Sequence, residues 1–304
     1  MKKVKLIRAL NRFLGSFTEE NIAFSYKDGK TYVVTTDGSS LLQYEFDDEE
    51  HENFTVKAYD FKSIRNRDDT DFEYDGESIV IRKKVIKGEK LDEPFVVDIE
   101  LEPEASINCR ELMKAHDVLG YVMASRNVDD VTVNFFSDSI VYRSKNKEAV
   151  YYVDLSIEKP FSISFRGFAH AISFIKTIYG DSIDEISISN NRNVFQILTK
   201  DMKIIMPSKY KPTKVEWNDP ILTFDISNDL KDKIISDDRV VFKTANNILN
   251  INGVPVIRFD KNIDIDLGKK SAYFIKMKNA LKISLHNSAI VFKNQNADVI
   301  FFLN

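Results

Sequence analysis

FSISFRGFAHAISFIKTIYGDSIDEISISNNRNVFQILT, residues 161–199, decides how the rest of the chain reads. FSISF (161–165) alternates apolar and polar residues, as a half-buried strand does. The period changes at Arg166. RGFAHAISFIKTIY (166–179) puts Phe168, Ile172, Ile175 and Tyr179 on one side of a helix, with His170, Ser173 and Lys176 elsewhere. EISISNNRNVFQILT (185–199) then returns to alternation around a polar NNRN turn, which reads as a hairpin.

The same unit returns along the chain. Pre-helix strands read FTVKAYD (54–60), ASINC (105–109), LTFDIS (222–227) and IDIDL (263–267). Helical stretches read RELMKAHDVLGYVMA (110–124), NDLKDKIIS (228–236) and KKSAYFIKMKNALKIS (269–284). Strand pairs occupy 21–36, 71–84, 130–144, 239–253 and 288–303, with turns such as KDGK, YDGE, FSDS and INGV. Successive starts lie roughly 40–60 residues apart, the spacing of an internally repeated architecture. No strand has the continuous apolar run of a parallel sheet. The expected class is therefore α+β, with half-exposed antiparallel sheets and helices on one face. Pairing successive units predicts three domains, 1–103, 104–217 and 218–304, with joints near EPEAS (102–106) and WNDPI (217–221).

Charge is segregated. The net charge is only -4, but residues 1–14 carry Lys2, Lys3, Lys5, Arg8 and Arg12 with no acid, and residues 268–297 carry six lysines and no acid. EFDDEEHE (45–52) is the opposite. On a helical wheel Leu6, Ile7, Leu10, Phe13, Leu14 and Phe17 share an arc of about 120°, and Lys2, Lys5, Arg8 and Arg12 take the opposite arc. This implies a basic surface on an acidic body. The basic-then-apolar start does not read as a signal peptide, because Arg8 and Arg12 interrupt it and no small-residue cleavage site follows. No apolar run is long enough to span a bilayer. With one cysteine, Cys109, no internal disulfide is possible. A cytoplasmic setting is expected.

Catalytic signatures are missing. There is no phosphate loop, HExxH, CxxC, EF-hand or GxSxG pattern. His51, His116, His170 and His286 lie one per region, at no metal-ligand spacing. His116 reads as a satisfied, half-buried residue and Cys109 as a small buried hydrophobe. The acid pairs Asp68-Asp69, Asp129-Asp130 and Asp237-Asp238 read as solvated turns. No enzyme activity, cofactor or metal is expected.

Three stretches resemble the bacterial β-type DNA sliding clamps, the ring-shaped processivity factors of DNA polymerases. FSISFRGFAHAISFIKTI (161–178) is similar to the strand and helix opening the second half of a clamp's middle domain. EISISNNRNVFQILTKDMKIIMPSKYKPTKVEW (185–217) resembles that domain's end, where Lys209-Tyr210-Lys211-Pro212 partly matches a Phe-Pro-Asp-Tyr-like turn. LGKKSAYFIKMKNALKIS (267–284) and SAIVFKNQNADVIFFLN (288–304) resemble the family's last helix, hairpin and apolar tail. The likeness covers 104–304, and 1–103 by pattern only. IVYRSKNKEAVYYVDL (140–155) lacks the family's Thr-Asp-Gly-His-Arg-Leu-like run. That departure and the short length suggest a divergent member, phage- or plasmid-borne.

The resemblance implies three clamp-like domains with sheets outside and two helices per domain lining a central hole. It implies a head-to-tail homodimer around double-stranded DNA, with a polymerase and a clamp loader as partners. A sliding protein must hold phosphates without reading bases, which calls for Lys and Arg on rigid elements. Candidate DNA contacts are Lys2, Lys5, Arg8 and Arg12 on the first helix, Lys62 and Arg65 on the second, and Arg110 and Lys114 on the third. Lys176 on the fourth helix and Lys278 and Lys282 on the sixth complete them. The resemblance places a partner-peptide pocket at Tyr210, Pro212 and Val215 with Phe301, Phe302 and Leu303. Two alternatives share the pattern: a monomeric DNA-binding processivity factor of related fold, and a structural β-rich phage protein. The amphipathic basic helices separate the clamp from the structural protein, and oligomeric mass separates it from the monomer.

Overall fold

The computed structural model describes residues 3–15, 20–63, 72–81, 83–99, 101–123, 130–155, 157–180, 182, 185–191, 193–210, 212, 219–269 and 282–303. Its helices are α1 (Lys3–Leu14), α2 (Ala58–Lys62), α3 (Cys109–Met123), α4 (Phe165–Ile178) and α5 (Asn228–Asp237). The strands among the described residues all pair antiparallel, so the α+β reading stands. The chain forms two compact units. The first comprises residues 1–113 and 155–212, and the second comprises 114–154 and 213–304.

The first unit is organised about a seam between the strands 41–47 and 202–210, where Leu42 pairs with Ile204 and Tyr44 with Met202. From the seam, one side continues through 30–36 and 21–27 to 54–57, which runs directly into α2. The other side continues through 194–198 and 185–191 to 105–108, which runs directly into α3. Each set of three strands next to the seam is also preceded by a helix, α1 or α4. The two halves thus repeat one plan, helix then three strands, about an approximate two-fold axis at the seam. A separate three-stranded sheet (73–75, 78–81, 84–87) follows α2.

The second unit repeats the plan. Its seam joins 147–152 to 297–302, with Ala149 opposite Val299. One side continues through 139–143 to 132–136. The other continues through 289–293 and 282–285 to 222–225, which precedes α5. A four-stranded sheet (240–245, 248–251, 254–258, 264–267) completes it.

Local chemistry sets the helix starts. Ser164 Oγ accepts from the Gly167 N–H at 3.1 Å, and Ser227 Oγ from the Leu230 N–H at 3.2 Å. Asn108 Oδ1 accepts from the N–H groups of Arg110 and Glu111. Each satisfies donors that the first helical turn leaves unpaired.

Three expectations need correction. FTVKAYD is strand only to Lys57, and the helix begins at Ala58. Lys282 is not helical but opens the strand Lys282–Leu285. The strand VTVNFF (131–136), read as half-exposed, is not so. Among 132–136, only Thr132 is not buried, because apolar packing covers both faces. On one face Phe136, Val141, Val150, Ala289, Val291 and Ile300 form a closed cluster, with Phe302 packed against it. Residues 270–281 of the sixth helix stretch lie outside the described residues. Among the described residues no helix is long and apolar enough to cross a membrane.

Candidate nucleic-acid interface

The apolar arc of α1 is buried over its described residues, and Phe17 lies outside them. Leu6, Ile7, Ala9, Leu10, Phe13 and Leu14 are all buried. Their main partner is α4, whose Phe168, Ala171, Ile172, Phe174 and Ile175 are buried in turn. The Phe13 and Phe174 rings meet edge-on at 6.2 Å. Arg12 Nη1 donates to Thr177 Oγ1 at 2.8 Å, and Gly15 lies against the His170 ring. Rising numbers on α1 meet falling numbers on α4, so the helices are antiparallel. Packing of this arc leaves Lys5 and Arg12 exposed and Arg8 half-exposed.

Three further contacts fix this layer. Lys62 of α2 donates its Nζ to the Gly15 carbonyl at 2.6 Å, capping the end of α1. A cation there also complements the helix dipole. Partial burial lowers the Lys62 pKa. Asp37, wholly buried, accepts from His170 Nδ1 at 2.5 Å, Ser40 N–H at 2.6 Å and Ser39 N–H at 2.9 Å. It therefore ties the turn between two strands to α4. Burial by itself would raise the Asp37 pKa, but the bonds from His170 and Ser39 outweigh it and hold the carboxyl below its ordinary value. Gly15 adopts φ +53, and a Cβ there would stand 2.7 Å from the imidazole. Only glycine suits that close approach and left-handed backbone.

The fold brings Lys5, Arg8, Arg12, Lys62 and Lys176 onto three helices of one unit, with α1 in contact with both α2 and α4. Lys176 is exposed in the last turn of α4. Arg110 and Lys114 are exposed along α3. Lys282 is exposed across the strand pair from Asp225, whose Oδ1 lies 3.9 Å from its Nζ. Lys2, Arg65 and Lys278 lie outside the described residues. By contrast, Lys233 of α5 faces an acid on the same helix, Asp237, at 3.0 Å. Sequence reading passed over Arg166, half-exposed in the first turn of α4. It also missed the Asp37–His170 pair, which joins residues 133 positions apart.

Among the pocket residues, Tyr210 ends the strand Met202–Tyr210, opposite Phe161, and Pro212 is half-buried in the first unit. Val215 lies outside the described residues. In the second unit, Phe301 faces the core. It is 4% exposed, its ring meets Phe292 at 5.7 Å, and Lys147 Nζ stands 5.8 Å from its centroid. Phe302 and Leu303 are half-exposed, held by backbone bonds to Asn146 and Ser288. Only these two tail residues keep apolar surface for another molecule.

No protein-family model matches this chain, and no curated protein matches it. Solved structures do. The β clamp of Helicobacter pylori, solved bound to a DNA ligase peptide, shares 13% identity at a TM-score of 0.65, covering 99% of this chain and 98% of that one. The DNA polymerase III subunit beta of Pseudomonas aeruginosa shares 12% at 0.67, with 99% and 98% covered. The beta subunit of Thermotoga maritima shares 13% at 0.66, with 98% and 97% covered. The chain has the sliding-clamp fold. End-to-end coverage of both chains means that the seams and repeated helix–strand sets are the clamp's own architecture, kept at very low identity. Among the described residues of this clamp fold, no group of three His, Cys, Asp or Glu is placed to hold a metal.

Proposed function

We propose that this protein is a DNA sliding clamp, a processivity factor without catalytic activity of its own that encircles duplex DNA and tethers a DNA polymerase in the cytoplasm. The observation that carries the reading is the face of α1. A helix that buries Leu6, Ile7, Ala9, Leu10, Phe13 and Leu14 and packs on α4 leaves Lys5, Arg8 and Arg12 outward. Rigid cations facing phosphates give binding without base readout. Replacing all three with alanine is expected to weaken retention on duplex DNA and to reduce the salt slope by roughly one unit for each lost phosphate contact. Binding and slope equal to wild type would remove α1 from the DNA face.

The assembly we propose has three domains per chain (1–103, 104–217, 218–304) and two chains joined head to tail, with a clamp loader as a further partner. Edge chemistry supports this. Among the described residues, strand Lys84–Lys87 pairs on one side only, is flanked by Lys83 and Lys90, and carries Val85 at 52% exposure. Strand Asp264–Leu267 likewise pairs on one side only, and its Asp264 and Asp266 carboxylates face Lys243 and Arg239 of the same unit. Two unpaired edges on different sheets suit a heterologous contact that closes a ring.

The partner-peptide pocket we propose includes Phe302 and Leu303 of the tail, which Phe301 anchors in the core of the second unit. Deleting residues 302–304 should abolish capture by a polymerase-derived peptide and leave the mass in light scattering at two chains. Undiminished capture would exclude the tail from the pocket, and a one-chain mass for the wild-type protein would exclude the ring.

A further inference from the structure

We infer that Tyr59 of α2 is a stacking contact for unpaired bases of DNA, beside the cationic face of α1. The inference rests on the clamp reading of that face. Tyr59 is 68% exposed, the most exposed large apolar side chain among the described residues. Its helix neighbours Ala58 and Phe61 are both fully buried, so the backbone that carries the ring is firmly seated.

Its position follows from helix geometry. Tyr59 and Lys62 are three residues apart, which puts them on adjoining faces of α2, about 60° from one another. Lys62 in turn reaches the carbonyl of Gly15 at 2.6 Å. On α1, Arg8 and Arg12 lie on one side, since i and i+4 positions stack along a helix, and Gly15 follows its last residue. Tyr59 is therefore carried by the element that meets the end of α1, one turn beyond the exposed Arg12. Exposed Lys57 precedes it in the chain. Among the described residues two acids lie beside it: Asp60, next in the chain, and Glu20, whose carbonyl accepts from the Ala58 N–H at 2.9 Å.

The chemistry selects the ligand. A chain of cations attracts a phosphate backbone, and an aromatic face next to it stacks on a base whatever its identity. In a duplex the base faces are already covered, so a duplex offers the ring nothing but sugar and phosphate. The occupant that uses a bare ring is a single strand, such as the template beyond a primer end.

The test uses the full-length protein with labelled oligothymidylate and labelled duplex, followed by anisotropy at one salt concentration. Tyr59→Ala is expected to weaken oligothymidylate binding roughly tenfold, the size of one lost base stack, with duplex binding nearly unchanged. Tyr59→Phe should bind as wild type does. Three results would overturn the inference: oligothymidylate binding unchanged in Tyr59→Ala, an equal loss in Tyr59→Phe, or a fall in mass of Tyr59→Ala, which would place the ring in a contact between copies. Failure of the clamp reading is distinct, because it would show as loss of duplex retention in the wild-type protein itself.

Discussion

At the residue scale the layer formed by α1, α2 and α4 depends on a small polar knot. Asp37, His170, Gly15 and Lys62 come from a turn and three helices, and each touches the next. Asp37 has a depressed pKa in the folded state, so its contribution to stability is complete above its unfolded value, near ~4, and is lost as pH falls through the lower folded value. Asp37→Asn is therefore expected to cost about 2 kcal/mol at neutral pH, because a buried, charge-assisted set of bonds is lost. Urea titrations of both proteins between pH 7 and pH 2.5 should show the gap closing at the acid end. A gap independent of pH would assign the effect to shape rather than charge. Little of this knot is legible in the sequence. His170 reads as an off-stripe helix residue, and nothing local connects it to Asp37. His116 and Cys109 were more readable. His116 Nδ1 meets Tyr142 OH at 3.2 Å, and burial pushes the Cys109 thiol up to about 11, as suits a small core residue rather than a nucleophile.

At the scale of elements, the most consequential segment has no regular structure. Residues 91–104 cross the sheet of the first unit at its seam. Gln43 Oε1 accepts from Val97 N–H at 2.7 Å. Gln196 accepts from Leu101 N–H at 2.9 Å and donates to the Ile99 carbonyl at 3.2 Å. Lys203 Nζ donates to the Val97 carbonyl, and Ser25 Oγ accepts from Phe95 N–H. The strap thus satisfies its own backbone on side chains of the strands beneath, as a covering segment must. Gln196 is wholly buried, so Gln196→Ala leaves two backbone groups without partners and should destabilise by about 2–3 kcal/mol. Hydrogen exchange should quicken at Ile99 and Leu101 first. Exchange unchanged there, with stability intact, would mean that the strap is held by other contacts. The sequence marks this stretch as a joint through its acids and Pro103 but not as a strap, because Gln43 and Gln196 sit at alternation positions that any exposed strand would also fill. Helix starts were clearer, since Ser164, Asn108 and Ser227 are ordinary caps. The strand at Lys282–Leu285 was hidden because KNALKIS continues a helical period while its β-branched end answers to pairing with Leu222–Asp225.

At the scale of the whole molecule, repetition is what the sequence carries best. Hairpins read at 21–36, 130–144, 185–199 and 288–303 all occur, and their order with the helices is the order of the clamp fold. The seams were not legible, since strands 41–47 and 202–210 are far apart in sequence and match by register alone. At 12–13% identity the same fold stands on largely different residues. That is expected when cores tolerate apolar exchange at constant volume and pattern. The central claim is topological, so the most direct measurement is retention on a linear duplex whose ends are closed with bound streptavidin after the protein is added. Encirclement predicts retention through a high-salt wash while both ends are blocked, and rapid release once one end is cut free. Retention that ignores the state of the ends, or no salt-resistant fraction in either case, would contradict it.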